Sequence, residues 1–376
     1  MTNPIRCWNF ENAYDTQYNG PCCYQSIPGV SSFKQMHESP IYKEIQESFQ
    51  QGAWPENYCT KCRDLEATYP DQRYSKRLAN INNLQLYNNH HGKLMDLVID
   101  TGRLCNLQCR SCKPQLSSSW IAEAEELANN SNKLKITPYL WIYDYNSPGT
   151  LSNVWPSNQY DLQDDDFSNL IYVNFQGGEP LYNVASINQY LEKILRDAGP
   201  NCEIFLSTNG TVSYKTVPLL KEFKKVGLSF SLDATGLASD FIRTGSNWEV
   251  IKNNVLECKE IGFVVAAHPA FSVMNIFSIV ELRKFIQEHG IYESKEIAFV
   301  KYPSFLSYDV LTNEEKVIAM DYLEKNDLRF LKDQIEASAY NSESRERFFE
   351  FMEHTKKYHD MDWKDYLPEL YQLMNN

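Results

Sequence analysis

The 376-residue chain contains no apolar run near the eighteen or so residues that would span a bilayer. Its first residues, MTNPIRCWNF, lack the positive start and apolar core of a secretion signal. Positive charge is scarce: 36 Lys and Arg stand against 49 Asp and Glu, a net charge of −13. That weighs against a nucleic-acid partner, because duplex binding is driven largely by basic residues neutralising phosphates. No internal repeat or low-complexity block is visible. The expectation is a cytoplasmic globular protein with neither membrane nor nucleic acid as partner.

Cysteine, by contrast, is plentiful, with ten residues. In a reducing compartment so many thiols point to metal or redox chemistry rather than structural disulfides. Three of them, Cys105, Cys109 and Cys112, share the segment CNLQCRSC with spacing C-x3-C-x2-C. A zinc knuckle usually draws four ligands from paired C-x2-C hooks. A cubane iron–sulfur cluster normally takes four thiolates, so three would leave one iron open to bind a small molecule. On spacing alone both remain open, zinc needing a distant His or Cys to complete it.

From Lys93 onward apolar stretches alternate with helical periodicity. LMDLVID, LIYVNFQ, EIFLST, LSFSLDA, FVVAAHPAFSV and EIAFV read as strands. Helices are expected over 115–129, 185–197, 213–225, 248–261 and 279–289. This rhythm predicts an α/β fold of parallel strands joined by crossover helices, with six strands in an open partial barrel. The cysteine triplet, GGEP, TNGT and DATG each follow one of these strands, at the edge where parallel barrels carry their active residues. Gly177 and Gly178 allow close backbone approach to a ligand. Glu179 suits a cationic amino group, although GGEP also reads as a plain tight turn. Ser207 and Asn209 are polar ligand contacts or ordinary helix caps. These strand ends favour the cluster over zinc.

CNLQCRSC, GGEP, STNGT and SLDATG…IRTGSNWEVIKNN, in that order over about residues 93–300, resemble the radical S-adenosylmethionine (SAM) enzymes. The resemblance implies that Cys105, Cys109 and Cys112 hold a [4Fe–4S] cluster whose open iron binds SAM. It implies reductive cleavage of SAM to a 5′-deoxyadenosyl radical, which abstracts a hydrogen atom from substrate. Glu179 and the Gly177–Gly178 backbone would meet the SAM amino group. Ser207 and Asn209 would lie near the ribose or carboxylate, Ser231 and Asp233 at the next strand end, and Arg243 on the carboxylate. Many members carry an aromatic residue before the third cysteine, where this chain has Ser111, so the adenine contact has no named residue.

Five cysteines precede this core. Cys59 and Cys62 form a C-x2-C hook that suits zinc well. Beside a radical SAM core, Cys7, Cys22, Cys59 and Cys62 resemble the twitch domain, a reduced SPASM domain carrying an auxiliary [4Fe–4S] cluster. It would here precede the barrel. Cys23 competes with Cys22 for the fourth place. The division expected is a Cys-rich twitch-like module over 1–92, the radical SAM core over 93–302 and a helical C-terminal extension over 303–376.

The resemblance implies a peptide or protein substrate first, a small molecule second, and an electron donor such as flavodoxin or ferredoxin. The rival reading is a non-catalytic iron–sulfur or zinc protein on the same scaffold, against which the intact GGEP argues. Cys202 and Cys258 read as core. The acidic run DLQDDDF (161–167) reads as a solvated loop, and the aromatic insertion over 136–160 as a substrate-facing cover.

Overall fold

The computed structural model describes residues 5–23, 25–69, 75–80, 82–83, 90–114, 116–129, 164–293 and 298–375. The expected cover over 136–160 lies outside them. Strands are β1 (Ala13–Asp15), β2 (Asp96–Asp100), β3 (Gln108–Cys109), β4 (Tyr172–Gln176), β5 (Glu203–Thr208) and β6 (Val226–Phe230). Then follow β7 (Arg243–Thr244), β8 (Val264–Ala267), β9 (Ala270–Phe271), β10 (Tyr292–Glu293) and β11 (Ala298–Phe299). Seven of them make a sheet of order β1-β2-β4-β5-β6-β8-β10. The registered pairs within it are parallel. This is the α/β fold expected, a parallel central sheet of seven strands with a helical C-terminus.

Two details depart from the strand reading. The early segment supplies an edge strand, β1, registered Ala13 to Asp96 and Asp15 to Val98. EIAFV does not join the large sheet: β11 pairs with β9, and the two-residue β10 takes the place beside β8. The helix expected over 213–225 is instead two short 3-10 turns, Tyr214–Thr216 and Pro218–Glu222. Pro218 sits in the middle of that stretch, where it offers no N–H and forces Val217 out of the helical region (φ −125°, ψ 72°). The other four helices form, three of them as Val184–Asp197, Trp248–Glu260 and Ile279–Glu288. The fourth shortens to Ile121–Asn129 behind a 3-10 turn.

The chain divides into two compact units. The first holds Met1–Gly102, Pro156–Leu206 and Lys215–Gly227; the second holds Arg103–Trp155, Ser207–Tyr214 and Leu228–Asn376. In the first unit β2, β4 and β5 alternate strictly. Leu97, Ile99, Val173, Phe175 and Ile204 are buried, while Asp96, Val98, Tyr172 and Asn174 on the opposite face are half-buried. This is the period-two pattern of a sheet with one packed face. The acidic run is not wholly solvated. Asp165 is buried and accepts from Phe33 N and Lys34 N, both at 2.8 Å, capping the helix Phe33–Glu38.

In the second unit the C-terminal helices are tied by Arg345, which reaches both oxygens of Glu315 at 2.7 and 2.8 Å and Met374 O at 3.1 Å. Cys202 and Cys258 are buried core residues, as expected. Among the described residues no helix is long and apolar enough to cross a membrane.

Candidate functional site

The three clustered cysteines lie in the second unit, Cys105 on the loop that leads into β3, Cys109 at the end of β3 and Cys112 on the turn after it. Every turn of that loop is pinned. Ser118 Oγ receives Cys105 N–H at 3.1 Å, and Ser119 Oγ donates to Cys105 O at 2.7 Å. Ser117 Oγ donates to Leu107 O at 2.6 Å, and Trp120 Nε1 to Cys109 O at 3.3 Å. The run SSSW after the triplet is thus the loop's brace. Sequence reasoning treated it only as the start of a helix, although three hydroxyls beside a cysteine loop were a legible signal.

Strand β3 pairs antiparallel with β7, which sets Cys109 opposite Arg243. Arg243 Nη1 lies 3.6 Å from Cys109 Sγ, and Arg243 Nη2 lies 2.8 Å from Asp233 Oδ2. Asp233 is itself fixed by Ala270 N–H at 2.7 Å. Asn209 Nδ2 donates to Asn106 Oδ1 at 3.0 Å and lies 3.7 Å from Cys105 Sγ, while its Oδ1 accepts from Thr211 N and Oγ1 at 2.9 and 2.7 Å. The second unit therefore gathers Cys105, Cys109, Asn209, Asp233 and Arg243. Cys112 follows one turn later, its N–H bonded to Cys109 O at 2.9 Å. Ser231 N–H donates to Thr208 O at 2.9 Å, and Ser207 is half-buried at the end of β5.

Burial pushes the Cys109 thiol up to about 11 against the pull of Arg243. Burial and then the charge of Cys109 push Cys112 up to about 12. For Arg243 burial opposes the charge, but Asp233, Cys109 and Cys112 outweigh it and its pKa is raised. Thiols placed so surrender their protons when metal ions take up the charge. Two N–H donors aimed at sulfur are the contacts that tune iron–sulfur centres. The donor set fits an iron–sulfur cluster.

Behind the loop lies a charged group that the sequence reading missed. Glu123 is buried, with Gln108 Nε2 at 3.0 Å, His354 Nε2 at 2.8 Å and His359 Nε2 at 3.0 Å. Burial alone would raise its pKa; the hydrogen bonds and charges of His354 and His359 outweigh that and hold it at about 2. Arg110 is also fully buried, 5.5 Å from the ring of Phe241 and 5.8 Å from that of Phe351. Its partners come from residues far along the chain, so spacing gave no sign of them.

GGEP lies in the first unit. Gly177 has φ +127°, and a Cβ there would stand 2.6 Å from both Asp100 Oδ1 and Gly102 O. Gly178 N–H donates to Gly102 O at 2.7 Å. The first glycine is therefore required by the neighbouring loop after β2, a reason apart from any ligand. Glu179 is fully buried, and its Oε1 accepts from Leu181 N–H at 3.1 Å, capping the turn Pro180–Tyr182.

The early cysteines also lie in the first unit. Cys7 precedes the helix Trp8–Asn12. Cys59, in the left-handed region (φ +56°), opens the helix Thr60–Thr68 that carries Cys62. Cys59 N–H donates to Gln25 Oε1 at 2.9 Å. Burial raises the Cys7 thiol well above its ordinary range, and Cys22, Cys59 and Cys62 raise it further. Burial, then Cys22 and Cys62, push Cys59 up to about 12. Among the described residues no three His, Cys, Asp or Glu side chains converge on a position for a single ion.

Comparison with known proteins follows this geometry. No curated protein matches the chain. SuiB of Streptococcus suis bound to S-adenosylmethionine is 16% identical with a TM-score of 0.36, over 71% of this chain and 57% of that one. Native anSMEcpe with bound AdoMet is 14% identical with a TM-score of 0.39, over 69% of this chain and 66% of that one. The chain thus spans less than two thirds of either. The Radical SAM superfamily model matches residues 99–286, half of the sequence, from the end of β2 to the helix after β9 and so across all the strand-end motifs of the core. The chain belongs to the radical SAM superfamily.

Proposed function

We propose that the chain is an enzyme that reductively cleaves SAM and abstracts a hydrogen atom from a peptide or protein, with a small molecule as the second choice of substrate. When bound, the cluster supplies the electron for that cleavage, and the protein's part is to bind, orient and shield. Cys105, Cys109 and Cys112 would hold the core [4Fe–4S] cluster. The observation that carries this reading is the registry of β3 with β7, which aims Arg243 at Cys109 while Asn209 approaches Cys105. Arg243 Nε meets no hydrogen-bond partner among the described residues and is the donor assigned to the SAM carboxylate. Gly177, Gly178 and Glu179 are assigned to the SAM amino group, and Ser207, Ser231 and Asp233 to the remaining strand-end contacts.

Cys7, Cys22, Cys59 and Cys62 are assigned an auxiliary [4Fe–4S] cluster of the twitch/SPASM kind, within a module over residues 1–92. All four lie in the first unit, and Cys59 and Cys62 share the start of one helix, which supports one shared site. Four thiolates close a cubane, so this cluster would carry electrons or bind substrate rather than SAM. A donor such as flavodoxin or ferredoxin in the cytoplasm would reduce the core.

The test is release of 5′-deoxyadenosine from SAM by anaerobically reconstituted, reduced protein. The parent protein is expected to release it, and the Cys105→Ala/Cys109→Ala/Cys112→Ala variant is expected to release none. Equal release from both would overturn the assignment.

A further inference from the structure

Between Cys109 and Cys112 the chain buries a cation. Arg110 follows Cys109 directly, and its N–H donates to Ile242 O at 2.8 Å, next to the pairing of β3 with β7. Arg110 is only 2% exposed. Its guanidinium lies 5.5 Å from the ring of Phe241 and 5.8 Å from that of Phe351, and Nη2 lies 3.9 Å from Met361 Sδ. Nε and Nη1 meet no hydrogen-bond partner among the described residues.

Arginine is almost never fully buried unless it is paired, because a buried charge is costly. Arg110 faces two rings and a thioether instead of a carboxylate. Glu123 acts on it electrostatically, but the Glu123 oxygens are taken by His354 at 2.8 Å and by His359 and Gln108, both at 3.0 Å. The two rings offset part of the cost. A guanidinium does not shed its proton to escape burial, so the charge stays.

The other group that acts on Arg110 is Cys109. Consecutive Cα atoms lie about 3.8 Å apart, which sets the guanidinium on the order of 10 Å from the Cys109 sulfur. At that range charges in a protein interior still interact, whereas exposed charges are largely screened. Arg243, the cation aimed at Cys109, is paired with Asp233 at 2.8 Å. Of these two arginines, Arg110 is the one without an ion pair.

We infer that Arg110 tunes the core centre: its buried, unpaired guanidinium raises the reduction potential of the cluster held by Cys105, Cys109 and Cys112. The inference rests on the assignment of a [4Fe–4S] cluster to that triplet. Reduction moves one electron from the donor to the cluster, and a fixed cation nearby stabilises the added negative charge. Net charge is one of the levers a protein has on such potentials.

The test is a reductive titration of anaerobically reconstituted protein followed by electron paramagnetic resonance. The core signal is the one absent from the Cys105→Ala/Cys109→Ala/Cys112→Ala variant. Arg110→Met, neutral and unbranched, is expected to lower the core potential by about 59 mV, a tenfold shift in a one-electron equilibrium. Arg110→Lys keeps the charge and is expected to shift it by less than half as much. Removing an unpaired charge also removes a burial cost, so Arg110→Met is expected to melt no lower than the parent protein. Glu281→Gln, on an exposed helix, is expected to change neither quantity. An unchanged potential in Arg110→Met beside a normal core signal sinks this inference alone. Equal lowering in Arg110→Lys and Arg110→Met also overturns it. So does an Arg110→Met protein that unfolds or loses its iron, since Arg110 would then be a brace rather than an uncompensated charge. A parent protein with no signal that depends on the triplet sinks the cluster assignment itself, and this inference with it.

Discussion

The two cysteine groups of this chain are built in opposite ways. In the second unit the thiols come from one segment of eight residues, and protein groups hold them. Ser117, Ser118 and Ser119 brace the loop, and Arg243 and Asn209 approach the sulfurs. In the first unit Cys7, Cys22, Cys59 and Cys62 come from three separate segments. Burial raises the Cys7 thiol against a backbone hydrogen bond from Phe10, and the other three thiols add to the rise. A site held by its own protein is ready before its metal arrives. A site whose ligands repel one another depends on the metal to hold them, because the binding energy is then part of the folding energy.

The largest effect is expected where the protein-made brace is cut. Arg243→Ala leaves Asp233 buried without its partner at 2.8 Å. Breaking a buried pair in this way costs about 3–5 kcal/mol. Denaturant unfolding of the variant measures it, and Asp233→Asn in the same background is expected to recover part of the loss. A change below about 1 kcal/mol would mean that the brace does not hold the loop, and the comparison between the two groups would fail.

Gly177→Ala is expected to follow, at about 3 kcal/mol, because a φ of +127° is almost confined to glycine and the new Cβ would meet backbone at Gly102. Its melting temperature should fall even with no SAM present. An effect seen only with SAM bound would return the glycine to a ligand-contact role.

The effect at Glu123 is read as a slope with pH. Its folded-state pKa of about 2 lies below the ordinary 4.5. The carboxylate's contribution is therefore complete above pH 4.5 and is lost as pH falls towards 2. Glu123→Gln should flatten the stability profile in that window. An unchanged profile would remove Glu123, His354 and His359 from the support of the loop.

These differences follow what the sequence could carry. Contiguous spacing makes the triplet legible, and one-sided alternation makes β2, β4 and β5 legible. Chain-distant pairings leave no local trace, which hid Glu123 with His354 and His359, and β1 beside β2. Pro218 was visible, yet apolar periodicity around it was given more weight than its missing N–H. GGEP reads as a ligand loop or a plain tight turn, and the demand on Gly177 comes from residues 100–102, which the parallel pairing of β2 with β4 brings near.

The most direct test of the two-site account is metal analysis of reconstituted protein, with Cys22→Ser and Cys23→Ser as partners. The account predicts about eight irons per chain, four for each cubane. About four should remain without the core triplet, about four in Cys22→Ser, and about eight in Cys23→Ser. One zinc with about four irons in the parent protein would contradict it.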